Sequence, residues 1–106
     1  PVQVRVLPIS DKYMDYAKKV EAQLNEEGIR VDVDTRSEKI GYKIREARKA
    51  RIPYMLVVGE KEEAEGKVSV RSRFLGDEGQ KDLGEFIAAI EEEIQNKVNR
   101  KVEVTE

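Results

Sequence analysis

The chain is 106 residues long, the length of one domain, and its 20 Lys and Arg against 22 Asp and Glu leave a net charge of −2. It has neither Cys nor His, which excludes a disulfide, a thiolate nucleophile, an imidazole base and an ordinary zinc site. No apolar run approaches the roughly 20 residues that cross a bilayer.

The chain opens on Pro1 rather than Met, and it reads as a piece cut from a longer protein at a domain boundary. Val2, Val4 and Val6 alternate with polar residues, which predicts a strand that Pro8 stops. Ser10 and Asp11 stand where a helix cap is expected. Tyr13, Ala17, Val20 and Leu24 follow at helical spacing. Gly28 supplies a left-handed stop that Ile29 can seal. Ile29, Val31 and Val33 predict a second strand, parallel to the first through a right-handed crossover. The second helix reads as Arg36 to Arg51, with Ile40, Ile44 and Ala47 facing inward and Pro53 marking its end. Gly41 inside it costs roughly 1 kcal/mol relative to Ala; the expected reason is tight packing against a strand, the alternative close approach of another backbone. Tyr54 to Val58 is apolar throughout, as a strand buried on both faces would be. Gly59 to Gly66 reads as an acidic turn, Val68 to Arg71 as a strand antiparallel to its neighbour, and Gly76 to Lys81 as loop. Asp82 and Glu85 are spaced like a capping box before a helix striped by Leu83, Phe86, Ile87, Ile90 and Ile94. Residues 99–106 show no strong pattern and read as a frayed tail. The order β-α-β-α-β-β-α predicts one α/β domain, a three-layer α/β/α packing around a mixed sheet.

The charges are not spread evenly. Between Arg36 and Arg51 seven basic residues stand against Glu38 and Glu46, a net +5, and Lys67, Arg71 and Arg73 add +3 with no acid among them. The rest of the chain carries −10. A basic field on an acidic body is the footprint of a surface that meets an anion, nucleic acid being the commonest large one; the alternative is a solvated basic helix face. Catalysis has little to build on. Glu60, Glu62, Glu63 and Glu65 line the acidic turn, but without the alternation and central Gly of a calcium loop no metal site is read there. Nor do the scattered glycines form a phosphate loop. Arg51 at the helix end and Arg71 on the following strand could flank one groove near strand ends, where open α/β sheets usually bind ligands. Glu62 beside two arginines repels phosphate. It suits a base, because a carboxylate accepts from guanine N1–H and its exocyclic amine; the alternative is an ordinary turn acid. Tyr42 or Tyr54 could stack on a base or simply pack.

The stretches "EKIGYKIREA" (38–47), "IPYMLVVG" (52–59) and "GKVSVRSR" (66–73) closely resemble the anticodon-binding domain at the C-terminus of threonyl-tRNA synthetases, and the resemblance covers essentially the whole chain. It implies an anticodon-binding-domain-like, mostly parallel five-stranded sheet, with a short fifth strand somewhere in Asp77 to Asp82. It implies a partner, the anticodon loop of tRNA(Thr), whose anticodons share guanine second and uracil third. Matched motif by motif, the base-reading positions fall on Ser37, Arg51, Glu62 and Arg71; some relatives carry Asn in place of Ser37. Lys39, Lys43 and Arg73 are added as candidate phosphate contacts. The resemblance also implies that ATP and zinc belong to a catalytic domain elsewhere in a cytoplasmic, homodimeric parent. This chain alone is then a monomer with no catalytic residue and no cofactor. The rival reading is a protein-interaction or accessory domain of the same fold.

Overall fold

The computed structural model describes residues 2–73 and 76–105. Five strands form one mixed sheet in the order β2-β1-β3-β4-β5. They are β1 (Val4–Pro8), β2 (Val31–Val33), β3 (Tyr54–Val58), β4 (Lys67–Ser72) and β5 (Gly76–Asp82). The three strands β2, β1 and β3 run parallel, and β4 is antiparallel to both β3 and β5. Among the described residues four α-helices accompany them: α1 (Met14–Glu26), α2 (Ile40–Lys49), α3 (Glu60–Glu65) and α4 (Leu83–Thr105).

Strand alternation sends side chains to two faces, and two separate cores result. On one face Val4, Val6, Leu56, Val58, Val68 and Val70 pack against Ala17, Val20 and Leu24 of α1 and Leu83, Phe86 and Ile90 of α4. The Ile94 side chain lies outside the described residues. On the other face Leu7 and Met55 pack against Ala47 of α2 and Ile52 just beyond it, with Ile40 and Ile44 at the rim. This is the expected three-layer arrangement, but the second layer is incomplete. Among the described residues none from β4 or β5 joins the smaller core. There the face that carries Met55 continues through its cross-strand partner Arg71 and through Ser69.

Several boundaries differ from the sequence expectation. β1 starts at Val4 rather than Val2 and ends at Pro8, where the sequence stops it, although Ile9 N–H still bonds the Val58 carbonyl at 2.9 Å. The Ser10 side chain caps nothing, and α1 is entered through a single 3-10 turn, Asp11–Tyr13. α2 begins at Ile40, not Arg36, because Arg36 is drawn back onto the buried Asp34 by two side-chain bonds of 3.0 and 2.8 Å. The acidic turn coils into α3, and Gly66 at φ 67° ends it. β5 forms where the sequence reads as loop, in the region the resemblance implied. Its composition, GDEGQKD, has no strand pattern; pairing with β4 makes it a strand. Asp82 caps α4 by accepting from Gly84 N–H at 3.0 Å. α4 continues through residues 99–105, where a frayed tail is the sequence expectation. Gly41 has open space where a Cβ would stand, so the packing reading of that glycine fails.

Two helices end in the same way with different residues. After α1, Gly28 N–H bonds the Asn25 carbonyl and Ile29 N–H the Leu24 carbonyl, with Gly28 at φ 78°. After α2, Arg51 N–H bonds the Arg48 carbonyl and Ile52 N–H the Ala47 carbonyl, with Arg51 at φ 59°. Both are Schellman endings, in which the left-handed position favours Gly. Arg51 is the described residue outside glycine that adopts positive φ. Arg51→Gly is therefore expected to raise unfolding free energy by about 1 kcal/mol and Gly28→Ala to lower it by a similar amount. Urea denaturation of the two variants beside the unaltered chain measures both; a destabilised Arg51→Gly would contradict the strain.

Candidate nucleic-acid interface

The end of α2 places its arginines over the edge of the smaller core. Arg48 and Arg51 lie one helical turn apart, and the left-handed turn at Arg51 breaks the helix before β3. With Met55, Ser72, Arg73 and Gly76 they line a cavity of about 280 Å³. Met55 lies opposite Arg71 in the β3–β4 register. Arg51 and Arg71 thus border the same methionine, one from the helix end and one from the strand. The groove lies at the amino end of β3, because β4 runs back from the turn and carries Arg71 to that end of the sheet. Arg71 has a loose partner in Asp77 at 3.9 Å. A half-exposed pair of that length contributes little, so the guanidinium can exchange it for a better acceptor.

Glu62 enters the same face from α3. It is 7% exposed. One carboxylate oxygen accepts from Gly59 N–H at 2.9 Å, reaching back to the residue before the helix as the acid of a capping box does. The other accepts from Ser69 Oγ at 3.1 Å and Gln80 Nε2 at 2.6 Å. Burial pushes its pKa up, but the hydrogen bonds from Gln80, Ser69 and the backbone outweigh burial and hold it below the usual carboxylate range. Glu62 is therefore an anionic fixture of the fold, more than an ordinary turn acid. Ser69 and Arg71 are alternate residues on one strand face, roughly 7 Å apart along β4. Glu62, Arg71 and Arg51 consequently lie along one stretch of sheet that, among the described residues, no apolar helix face covers. Sequence reasoning missed Gln80 because its strand has no pattern to read. Arg48 had a readable signal, its three-residue spacing from Arg51.

The remaining expected contacts separate from this groove. Ser37 precedes α2 and donates its hydroxyl to Asp11 at 3.0 Å. With Lys39 it borders a second cavity, of about 300 Å³, beside Ile9. Lys43 is not an exposed phosphate contact: it is 1% exposed and its ammonium donates to the Pro8 carbonyl at 3.0 Å. The apolar stripe of α2 predicted that face as Ile40, Ile44 and Ala47, and Lys43 is one turn from both Ile40 and Ala47, so it turns inward with them. Tyr54 packs edge-on against Phe86 and donates to Glu93, which removes it from the groove. Tyr42 is 38% exposed beneath the Arg36 guanidinium, 5.1 Å from its ring centre. Arg73 is exposed at the cavity rim.

The family profile described as "Anticodon binding domain" matches residues 3–93. The chain belongs to that family. This anticodon-binding domain is 58% identical over 97 residues to a threonine–tRNA ligase of Clostridioides difficile (strain 630), covering 92% of the chain and 15% of the relative. A threonine–tRNA ligase of Clostridium botulinum (strain Hall) is also 58% identical, over 99 residues. The domain thus spans about 15% of the length of the curated relatives it matches. Among solved structures, the RNA binding domain of threonyl-tRNA synthetase from Cryptosporidium parvum Iowa II superposes with a TM-score of 0.82 at 37% identity, covering 87% of this chain and 23% of that one. Histidyl-tRNA synthetase from Nostoc sp. PCC 7120 superposes with a TM-score of 0.81 at 26% identity, over 89% of this chain and 23% of that one. The mixed five-stranded sheet is thus shared among synthetases for different amino acids. Among the described residues no helix is long and apolar enough to cross a membrane.

The site's electrostatics carry a pH signature. Hydrogen bonds from Arg36, outweighing burial, hold Asp34 below its ordinary pKa, as the groove's donors do for Glu62. A carboxyl whose folded pKa is depressed stabilises the fold above its unfolded pKa of about 4, and that contribution is lost as pH falls through the folded value. The urea midpoint of the domain is expected to stay level from about pH 7 to 5 and to drop below about pH 4. Glu62→Gln is expected to be less stable by roughly 1–3 kcal/mol at neutral pH and to show a shallower acid drop. Parallel acid slopes would mean that Glu62 is not the ionised acceptor described.

Proposed function

We propose that this chain is the anticodon-binding domain of a threonyl-tRNA synthetase. It reads the second and third anticodon bases, guanine and uracil, so that its parent charges tRNA(Thr) with threonine. The observation that carries the reading is the alignment of Arg51, Arg71 and Glu62 along one uncovered sheet face, in a chain 58% identical to threonine–tRNA ligases. Unstacked anticodon bases enter the groove between the end of α2 and β4. Cations position the phosphates, and the buried carboxylate and the two guanidinium groups select the bases. Lys39 and Arg73 are the phosphate contacts. Ser37, whose hydroxyl proton is held by Asp11, offers a base acceptor lone pairs alone. The domain acts in the cytoplasm, attached to the catalytic domain of a homodimeric parent that holds the ATP and zinc chemistry. By itself it is a monomer that activates no amino acid, and pyrophosphate exchange by the 106-residue chain would contradict this.

The binding test uses a threonine anticodon stem-loop and a copy with adenine in place of the second-position guanine, at fixed salt. The matched loop is expected to bind tighter. Arg71→Ala is expected to cost about 1–3 kcal/mol on the matched loop and to erase much of the difference, whereas Lys39→Ala weakens both loops alike and lowers the salt slope by about 1. Arg51→Gly is expected to weaken binding while it stabilises the fold. Equal binding of both loops by the unaltered domain, falling steeply with salt, would favour an accessory role without base reading.

A further inference from the structure

Most of the acceptor capacity of Glu62 is already engaged. An ionised carboxylate offers about four acceptor positions. Gly59 N–H takes one on Oε1, and Ser69 Oγ and Gln80 Nε2 bond Oε2. At most one position is left, yet a guanine edge presents two donors side by side, N1–H and the exocyclic amine. With its neighbours in place, this carboxylate cannot receive both.

Gln80 is placed to supply the missing acceptor. The orientation of its amide follows from chemistry: an ionised carboxylate accepts and does not donate, so the nitrogen faces Glu62 and the carbonyl oxygen faces away from it. Gln80 is opposite Ser69 in the β4–β5 register, on the same uncovered face as Arg71. It is half-exposed where Glu62 is buried. β5 reaches this register because the pairing shifts between Val70 and Arg71, leaving Glu78 as an extra residue between Asp77 and Gly79. The shift lets Asp77 meet Arg71 and Gln80 meet Ser69 on one face.

We propose that Gln80 is a specificity-determining residue, whose side-chain carbonyl accepts the exocyclic amine of guanine. The assignment rests on the reading that this face takes the second anticodon base. A residue that merely holds Glu62 uses its nitrogen, and a residue that reads the base uses its oxygen, so the two roles separate by substitution.

The experiment compares stem-loops carrying guanine, inosine or adenine at the second anticodon position, inosine differing from guanine by loss of the amine alone. The unaltered chain is expected to bind the inosine loop roughly five- to tenfold more weakly than the guanine loop, the scale of one hydrogen bond. Gln80→Met is expected to bind both within about twofold. Gln80→Lys keeps a donor toward Glu62 and has no acceptor; it is expected to lose the same distinction even if its charge tightens binding overall. An inosine penalty that persists in both variants, or that Gln80→Lys alone retains, would overturn the assignment while base reading stands. Failure of the unaltered chain to distinguish guanine from adenine would overturn base reading, and this assignment with it.

Discussion

The arrangement of the groove depends on one buried carboxylate. Glu62 bonds the backbone at the start of α3, a hydroxyl on β4 and an amide on β5. It therefore joins the β3–β4 connection to the edge strand. A buried anion is costly unless its lone pairs are met, and here three donors meet them. Under the proposed reading the energetic requirement and the functional one point the same way: the donors that make burial tolerable also keep the group ionised, and an ionised acceptor suits a base edge. Stability and recognition would then not be separated by substitutions at Glu62 alone, and its neighbours are the more informative positions.

The second constraint is that α2 covers part of a sheet face and, among the described residues, leaves the rest open. Its inward residues meet β1 and β3, and the open remainder on β4 and β5 carries Ser69, Arg71 and Gln80 in place of aliphatic residues. The charge concentration seen in the sequence is divided by this geometry. Arg36 is drawn onto Asp34, Lys43 turns into the core, and Lys49 pairs with Glu46 at 3.5 Å. The exposed guanidinium groups of Arg48 and Arg51 remain at the groove end. A net charge of +5 along a segment therefore overstates the field that a bound anion would feel. What matters is which cations the helix phase and the caps leave outward.

The layers, the parallel pairing of β1 with β2 and the apolar stripes were legible because burial writes itself into periodicity. Val4, Val6, Val20, Leu24, Leu56 and Phe86 are all in the larger core and all stood at inward positions of a strand or helix pattern. What was not legible lacked an apolar signal. The start of α2 was set by an ion pair at Asp34 and Arg36, and charged residues carry no phase until Ile40. β5 is a strand by pairing alone, so its residues, Gln80 among them, could not be assigned a face. The inward Lys43 was misread because an ammonium is expected in water; nothing local announces the Pro8 carbonyl that receives it. The site's arginines and the turn acid were raised as candidates by charge and strand order, and motif likeness chose them over the bland alternatives. The antiparallel return of β4 was readable, but the side-chain bonds from Ser69 and Gln80 that fix Glu62 were not.

Arg51 shows how the two kinds of constraint meet at one residue. The molecule contains its own control, since α1 ends in the same hydrogen-bond pattern with Gly28 at the left-handed position. Arg has no conformational reason to occupy the equivalent place after α2, where its Cβ is crowded and Gly would relax the backbone. The hydrophobic half of the motif is fully formed there, with Ile52 packed beside Ala47, so the ending does not depend on what stands at Arg51. The side chain is thus the one thing that glycine could not supply, and it is delivered to the cavity that Met55 floors and Arg73 borders. Strain that the fold does not need, at a residue whose side chain lines the groove, is what the binding role proposed for Arg51 would account for.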